Sequence, residues 1–376
     1  MIRTVLAAMF VGGAVLSVSA QAQGVSDKEI VLGHTAGFTG AVAGSVKEST
    51  DGALLYFEWL NSQGGVNGRR IVLKSLDDKF DPKLAGENVK KILAETPPLA
   101  FLLTRGTPHT EAGLPLIKAA NIPLISPGTG AEVFHTPVNP LVFNLRAKYQ
   151  LEVEKAIEYL VSTGVNRIGL VYVNDSFGKD GLAGFERKMA ELKLKPAFIT
   201  GFDRVTGDTA AAAQLVVKEA PQATFAVGSA THTVSLIEKV RKAGNQTAFV
   251  TLSNNGTKSY IKALGIYGRG VIVTQVFPNP ATSSLLVARE MRRLAKDKKD
   301  FILSQQAMEG FLAAKLTAEA LRRAGKKPTP AGLMAALETL RDQDFGGFYV
   351  SFTPADHTGG RFVEMSIIDE RGEFLQ

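Results

Sequence analysis

The feature that most constrains the fold is an alternation of short apolar segments with amphipathic segments along most of the chain. Apolar stretches bounded by turn residues are typical of buried strands, and the segments between them place apolar residues at helical spacing. This alternation predicts parallel α/β units. The predicted strands are residues 30–34, 71–76, 100–103, 123–125, 167–173, 198–202, 224–227, 248–251 and 270–276. The predicted helices are residues 49–61, 82–93, 109–119, 150–162, 178–192, 209–219, 233–243, 283–295, 304–324 and 329–338.

The alternation runs twice, once from Glu29 to about Asn144 and again from about Gln150. A single sheet of more than about ten strands would be unusual, so the sequence predicts two similar lobes. The chain would cross between them at residues 144–149, near 273–277 and near 351–360, which together would form a hinge. We therefore expect a signal peptide at 1–22, one lobe at 23–145 plus about 275–352, and a second at 146–274 plus about 353–376.

The N-terminal segment has the pattern of a secretory signal peptide. A single positive charge, Arg3, precedes an apolar run that ends before Ala20, Gln21 and Ala22, which form an A-x-A cleavage site. The run is shorter than the roughly 20 residues that span a bilayer. We expect cleavage near Ala22 and a mature protein in the periplasm; the alternative is an uncleaved membrane anchor.

Composition and charge exclude several classes of protein. The 376 residues are 45% hydrophobic and include no cysteine, which leaves room for two packed domains but excludes disulfides and cysteine-based metal sites. The net charge is +7, but basic residues are dispersed beside acids, as in Glu186 and Arg187. The densest basic run, residues 292–299, is interrupted by Asp297 and is typical of a solvated helix face. We expect no nucleic-acid partner.

No catalytic constellation is present in the sequence. The five histidines, at positions 34, 109, 135, 232 and 357, form no H-E-x-x-H pair, and neither a G-x-S-x-G nor a C-x-x-C motif occurs. Asp77 and Asp78 could suggest a metal site, but they follow a predicted strand just before the helix cap Asp81. The sequence predicts no enzyme, no metal and no cofactor.

Ligands of open parallel sheets bind beyond the carboxyl ends of the strands, so the loops there are the candidate site. The loop of residues 35–45 is rich in glycine but lacks a nucleotide-binding pattern. Residues 104–110 gather hydroxyls and Arg105 ahead of a helix, a combination that suits a carboxylate. We expect ligand contacts from Arg105 and Thr107, although Thr107 or Thr110 could instead be a helix cap. The loop of residues 126–130 on its own indicates only a turn.

Several segments in order resemble the leucine/isoleucine/valine-binding protein family, the type I periplasmic binding proteins that feed ABC importers. The resemblance covers nearly the whole mature chain and implies two Rossmann-like α/β lobes joined by a three-segment hinge. The segments are Gly-Phe-Thr-Gly at 37–40, Asn-Ser-Gln-Gly-Gly-Val-Asn-Gly-Arg at 61–69, Asp-Asp at 77–78 before Asp-Pro at 81–82, Ala-Asn-Ile-Pro-Leu-Ile-Ser-Pro at 120–127, Val-Asn-Asp-Ser-Phe-Gly at 173–178 and Arg-Lys-Ala-Gly at 241–244.

The resemblance also implies a set of ligand-binding residues. In the family's amino-acid binders, two loops hold the ligand carboxylate and ammonium; Thr107 matches the hydroxyl position of one loop, and Gly128 matches a backbone carbonyl position of the other. Gly130 stands where a threonine often sits, and Phe177 where an aromatic side chain of the second lobe covers the ligand. Ser45 stands where the first loop often brings an aromatic side chain, which implies a more open or polar wall.

The second lobe departs from the amino-acid binders at two positions. Ser253 stands where they usually have an acid that pairs with the ligand ammonium, and Ser229 replaces a frequently aromatic residue. Enclosing an ammonium without a carboxylate partner is costly. Together with Arg105, the missing acid points to an aromatic or aliphatic carboxylate without an ammonium, or to a neutral amide.

We therefore expect a monomeric solute-binding protein that captures a small amino-acid-like or carboxylate ligand and delivers it to an ABC permease in the inner membrane. A ligand sensor that reports to a membrane receptor is the alternative, because both roles use the same closure of two lobes.

Overall fold

The computed structural model describes residues 23–375, so the predicted signal peptide lies outside the described residues. The strands are β1 Glu29–Ala36, β2 Arg70–Asp77, β3 Ala100–Leu102, β4 Leu124–Ile125, β5 Val142–Phe143, β6 Ile168–Val173, β7 Ile199–Phe202, β8 Ala223–Val227, β9 Ala248–Thr251, β10 Ile272–Gln275, β11 Gln343–Asp344, β12 Tyr349–Val350, β13 Glu364–Ile368 and β14 Phe374–Leu375. The α-helices are α1 Ala43–Ser62, α2 Pro82–Glu95, α3 Thr107–Ala119, α4 Tyr149–Ser162, α5 Ser176–Glu191, α6 Ala210–Glu219, α7 Ala230–Lys242, α8 Lys258–Leu264, α9 Leu286–Ala295, α10 Gln305–Ala324 and α11 Pro330–Leu337.

The first sheet has five strands in the order β2-β1-β3-β4-β5, all parallel. Ile30 and Leu32 of β1 are buried because helices cover the sheet. Helix α1 packs against α10, and α2 packs against α3. The carboxyl ends of β1, β3 and β4 therefore open on the same edge of this sheet, which is where polar loops follow.

The second sheet has seven strands in the order β14-β13-β10-β9-β8-β6-β7. Strands β6 to β10 are parallel, and β13 and β14 extend the edge in antiparallel pairing. Every residue of β8 is buried, as expected for a parallel strand with helices on both faces. The prediction of an α/β fold with two sheets is confirmed.

Three connections link the elements around the first sheet with those around the second: β5 to α4, β10 to α9, and β12, which pairs with β11 in a small separate sheet, to β13. The first and third run side by side. The N–H of Asn144 donates to the carbonyl of His357 at 2.9 Å, and the N–H of Gly359 donates to the carbonyl of Asn144 at 2.8 Å. Two of the connections are thus tied together by backbone hydrogen bonds.

The ends of several elements differ from the sequence prediction. Helix α1 begins at Ala43 rather than at residue 49, and its N-cap Val42 offers no side chain that could signal the start. Helix α5 begins at Ser176, two residues earlier than predicted, because the Asp175 side chain caps it by accepting from the N–H of Gly178. The cap at Asp81 is confirmed, since its side chain accepts from the N–H of Lys83.

Within residues 23–375, no helix has both the length and the apolar character needed to cross a membrane.

Candidate functional site

A small cavity of about 20 Å³ lies between the two sheets, at the loops that follow their parallel strands. That volume holds about one water-sized group. The cavity is lined from both sides by Val42, Phe80, Arg105, Gly106, Thr107, Gly128, Tyr149, Phe177, Arg204, Ser229 and Asn254. No carboxylate side chain is among these lining residues.

Arg105 reaches across the cavity from the first sheet to the second. It follows β3, and the residue is only 4% exposed. Its Nη2 donates to the backbone carbonyl of Asn254 at 2.9 Å and to Oε1 of Gln306 at 3.3 Å. Burial lowers the pKa of this guanidinium, while the charge of Glu309, 3.5 Å from Nη1, acts against that shift. Arginine nevertheless stays protonated in proteins, so the cavity carries a fixed positive charge.

A small residue at position 128 makes room for this arginine. The backbones of Arg105 and Gly128 form a parallel bridge that extends the β3–β4 pairing. A Cβ at position 128 would lie 3.0 Å from Cδ of Arg105 and 3.0 Å from the carbonyl oxygen of Thr104. The carbonyl of Gly128 also accepts from the N–H of Gly106 at 3.4 Å. Gly128 therefore positions Arg105 as well as lining the cavity.

Thr107 lines the cavity at the first residue of α3, with Gly106 as the N-cap. Its hydroxyl shares a 2.7 Å hydrogen bond with the hydroxyl of Thr129, which is fully buried. Thr107 is not a side-chain cap, because Gly106 holds that position, and Thr110 bonds instead to Thr104 at 2.9 Å. Thr129 was missed by the sequence analysis, although it lies in the predicted loop of residues 126–130.

A buried ionic network lies next to Arg105. Nη1 of Arg146 lies 2.8 Å from each carboxylate oxygen of Glu309, and the two side chains are 1% and 0% exposed. Burial acts to lower the pKa of Arg146, but the charge of Glu309 helps to outweigh it and the pKa is raised. Nη2 of Arg146 also donates to the hydroxyl of Ser253.

Ser253 belongs to this network and is not among the lining residues of the cavity. Its N–H and its hydroxyl donate to Glu152, at 2.9 and 2.8 Å. Thr274 donates to the same carboxylate. Burial raises the pKa of Glu152, whereas Arg146 and these donors act to lower it. The serine is therefore engaged by protein groups on two sides.

Phe177 and Tyr149 form an aromatic wall of the cavity, with ring centroids 4.9 Å apart. Phe177 lies in the first turn of α5, where the Asp175 cap holds it. Gly130 supports Tyr149 from behind, since its carbonyl accepts from the N–H of Tyr149 at 2.8 Å. A Cβ at position 130 would lie 2.5 Å from the carbonyl oxygen of Ala147, so Gly130 packs against the first connection and does not line the cavity.

Arg204 is a second cation at the cavity that the sequence analysis missed. It follows β7, and its guanidinium carbon lies 5.0 Å from the centre of the Phe80 ring on the opposite side. Its Nε pairs with Asp175, whereas its Nη1 is buried without a hydrogen-bond partner among the described residues. Its place directly after a predicted strand was the signal that could have identified it.

Phe80 stacks on His109 with ring centroids 4.1 Å apart. Burial lowers the pKa of His109 to about 4, so this imidazole is neutral at pH 7. The loop that holds Phe80 is anchored by Asp78, which accepts from the N–H of Phe80 at 2.9 Å and from the hydroxyl of Thr35 at 3.1 Å. Burial raises the pKa of Asp78 to about 7.

Two predicted site residues, Ser229 and Ser45, lie at different distances from the cavity. Ser229 lines it and forms a 2.9 Å hydrogen bond with Nδ1 of His232. Ser45 donates to the carbonyl of Val42 at 2.9 Å and lines a neighbouring groove. The structure therefore brings together Arg105, Thr107, Gly128, Phe177 and Ser229, and leaves Ser45, Gly130 and Ser253 outside the cavity wall.

Among the described residues, no group of three or more metal-binding side chains comes together. Asp77 and Asp78 bond instead to Thr39 and Thr35. A larger open depression of about 690 Å³ includes Glu29 and Val31, at the opposite end of β1 from the cavity. Arginines line the cavity and are not among the residues of the depression, so we place the candidate site at the cavity.

Comparison with known proteins identifies the family. A family model described as a periplasmic binding protein matches residues 29–369. The chain belongs to this family. This periplasmic binding protein is 34% identical to a substrate-binding periplasmic protein from Ralstonia solanacearum, whose crystal structure matches with a TM-score of 0.87 over 93% of this chain and 100% of that chain.

Other relatives are more distant. An amino acid binding protein from Pseudomonas aeruginosa is 23% identical over 251 residues, which are 65% of this chain and 67% of that protein. A branched-chain amino acid ABC transporter structure from Thermus thermophilus with bound valine has 20% identity and a TM-score of 0.82, covering 93% of this chain and 96% of that chain. The fold is thus that of the type I periplasmic binding proteins. The family consists of substrate-binding proteins, which confirms the prediction that the chain is not an enzyme.

Proposed function

We propose that this periplasmic binding protein captures a small carboxylate without an α-ammonium group and delivers it to an ABC permease. It would do so as a monomer in the periplasm after loss of residues 1–22. The observation that carries the proposal is Arg105, a buried guanidinium in a cavity whose lining residues include no carboxylate side chain. Arginine beside hydroxyls and helix-end N–H groups suits a carboxylate.

Three carboxylates near the cavity, Glu309, Asp175 and Glu152, are already engaged. Glu309 pairs with Arg146 and lies 3.5 Å from Arg105, and Asp175 pairs with Arg204. Glu152 accepts from Ser253 and Thr274. A ligand ammonium would therefore enter a region of two guanidiniums in which these three carboxylates already have partners, which is unfavourable. A carboxylate would instead gain charge-assisted hydrogen bonds.

Some distant relatives are named for binding or transporting amino acids, but these names do not contradict the proposal. At 20% identity, the valine complex from Thermus thermophilus shares the fold with this chain, and the fold does not fix the ligand. In this chain, position 253 carries a serine whose hydroxyl bonds to Glu152 and Arg146. That arrangement supports a ligand without an ammonium group.

We further propose that two lobes, residues 23–145 with 275–352 and residues 146–274 with 353–376, close on the ligand. Membership of the two sheets, together with the packing of α10 against α1, supports these boundaries to within a few residues. Contacts across the interface support a closed state: Glu48 accepts from the N–H and hydroxyl of Ser259 at 3.1 and 2.9 Å, and Ser176 donates to Glu111 at 2.5 Å. A ligand that binds the closed state more tightly would populate it, and the permease would recognise that closed surface.

A thermal-shift screen of the mature protein tests the proposal. Ligands that bind the folded state raise the melting temperature by mass action. We expect aliphatic or aromatic carboxylates to raise it, with smaller effects from amides and from α-amino acids. A screen in which only α-amino acids raise the melting temperature would contradict the proposal.

A further inference from the structure

A second space, a groove of about 360 Å³, lies beside the cavity between the start of α1 and helices α7 and α8. This volume is within the range of small-molecule sites, about 300–1,000 Å³. Small apolar side chains from both sides line it, including Ala41, Val42, Ala230, Val234 and Ala263. The groove therefore offers a wall for an apolar group.

Several charged and polar side chains of the groove have partners within the protein, whereas Oδ1 of Asn254 and the hydroxyl of Tyr260 are buried without one among the described residues. Glu238 pairs with Lys242, and Ser259 donates to Glu48. Ser45 donates to a backbone carbonyl, and Thr257 accepts from the N–H of Tyr260. The groove does not supply an unpaired charge from these residues, which favours an apolar occupant over an ionic one.

The groove and the cavity are adjacent and share lining residues. Val42 and Asn254 line both spaces, and Ser229 of the cavity precedes Ala230 of the groove. The cavity holds about 20 Å³ beside Arg105, whereas the groove holds about 360 Å³. A molecule with a compact anionic head and a longer apolar tail would match this division.

We propose that the groove binds the apolar tail of the ligand while its carboxylate meets Arg105 in the cavity, so that the substrates are carboxylic acids with an extended aliphatic chain. This inference rests on the proposed function, because it assumes that a carboxylate occupies the cavity. It assigns chain-length selectivity to the groove, with Val42 and Asn254 at the junction.

Isothermal titration calorimetry of the mature protein with butanoate, hexanoate and octanoate tests the inference. Each methylene group that enters the groove should tighten binding by about threefold, so octanoate should bind on the order of 100-fold more tightly than butanoate. Ala230→Phe fills the groove from the first turn of α7. The ratio of the dissociation constant of butanoate to that of octanoate should therefore fall to near one in this variant. Ala211→Phe, in the first turn of α6 on an exposed face, is the matched control and should keep the ratio.

The outcomes separate this inference from the proposed function. If butanoate binds and octanoate binds no more tightly, the carboxylate site stands and the groove assignment is wrong. If none of the three acids binds, this inference is wrong, and the proposed function fails as well if aromatic carboxylates also leave the melting temperature unchanged in the thermal-shift screen. A dimer of the unaltered protein that Ala230→Phe dissociates would assign the groove to a second copy of the chain and overturn the inference.

Discussion

The guanidinium of Arg105 donates to the backbone carbonyl of Asn254 at 2.9 Å, which joins the loop after β3 to the loop after β9. One side chain thus lines the candidate cavity and connects the two sides that enclose it. Ligand binding and closure are therefore expected to depend on the same residue.

Replacing Arg105 by methionine should weaken carboxylate binding by about 10- to 150-fold, because hydrogen bonds to charged groups contribute about 1.5–3 kcal/mol. Glu309 would keep Arg146 as its partner, so the variant should still fold. Calorimetric titration measures the loss. Arg167→Met, which removes an exposed arginine bonded to Glu219 and Ala220, is the control and should bind normally. Unchanged carboxylate affinity in Arg105→Met would show that Arg105 does not bind the ligand.

Gly44 permits the close approach of α1 to α8. A Cβ at this position would lie 2.3 Å from Oγ of Ser259, across the interface between the two sides. Gly44→Ala should weaken ligand binding by at least about fivefold, the low end of overpacking costs, because Cβ of Ser259 also lies only 2.7 Å away and cannot rotate aside. Adding Ser259→Gly should restore part of the affinity, because it removes the clash but also the hydrogen bond from the Ser259 hydroxyl to Glu48.

The matched control for Gly44 is Gly86→Ala in α2. A Cβ there would lie 3.3 Å from the carbonyl oxygen of Ala112, within the first-sheet side. Its effect on ligand affinity should be absent. If both glycine variants bind normally, the contact between α1 and α8 has no part in closure.

The buried pair of Arg146 and Glu309 should matter for stability. Glu309→Gln leaves the Arg146 charge without its carboxylate, which costs about 3–5 kcal/mol of unfolding free energy for a buried pair. Urea unfolding monitored by circular dichroism measures this. Asp51→Asn, which breaks a more exposed pair with Lys47, should cost at most about 1 kcal/mol. Equal losses of unfolding free energy in the two variants would contradict the expectation that the buried pair contributes more to stability than the exposed pair.

Asp78 should make stability depend on pH in a defined direction. Burial raises its pKa from 3.8 to about 7, so the folded protein binds a proton that the unfolded chain releases between these values. This contribution to stability is complete below about pH 4 and is lost as the pH rises through 7. The stability of the unaltered protein relative to Asp78→Asn should fall by about 3 kcal/mol between pH 5 and pH 8.

Asp77→Asn provides the comparison for that pH series. Partial burial acts to raise the pKa of Asp77, but hydrogen bonds from Thr39 and Lys79 hold it below its ordinary value. Its titration therefore lies below pH 5, and it should add no slope between pH 5 and pH 8. If the unfolding free energies of the unaltered protein and Asp78→Asn change with pH in parallel, Asp78 is ionised throughout the range from pH 5 to pH 8.

The regular elements were predictable from the sequence where their patterns were long. Strand β6, Ile168–Val173, is a continuous apolar run, and it lies within the predicted residues 167–173. Helix α8, Lys258–Leu264, and the edge strands β13 and β14 were missed, because they are short or carry polar residues and have little periodicity. Tertiary packing, which the sequence pattern does not express, stabilises such elements.

The candidate site was predictable in part. Arg105 and Thr107 were identified because polar residues directly follow a predicted strand, and loops there face a common cleft. The same rule could have identified Arg204 after β7. The orientation of Ser253 could not be read from its position, because it depends on Glu152 and Arg146, which come from distant parts of the chain.

The most direct test of the central claim compares two ligands that differ only in the ammonium group, leucine and 4-methylpentanoate. Calorimetric titration of the mature protein at pH 7 gives both dissociation constants. Because the carboxylates near the cavity are engaged, 4-methylpentanoate should bind at least about tenfold more tightly, which corresponds to about 1.4 kcal/mol. Tighter binding of leucine would contradict the account and show that an acid in this protein does pair with the ligand ammonium.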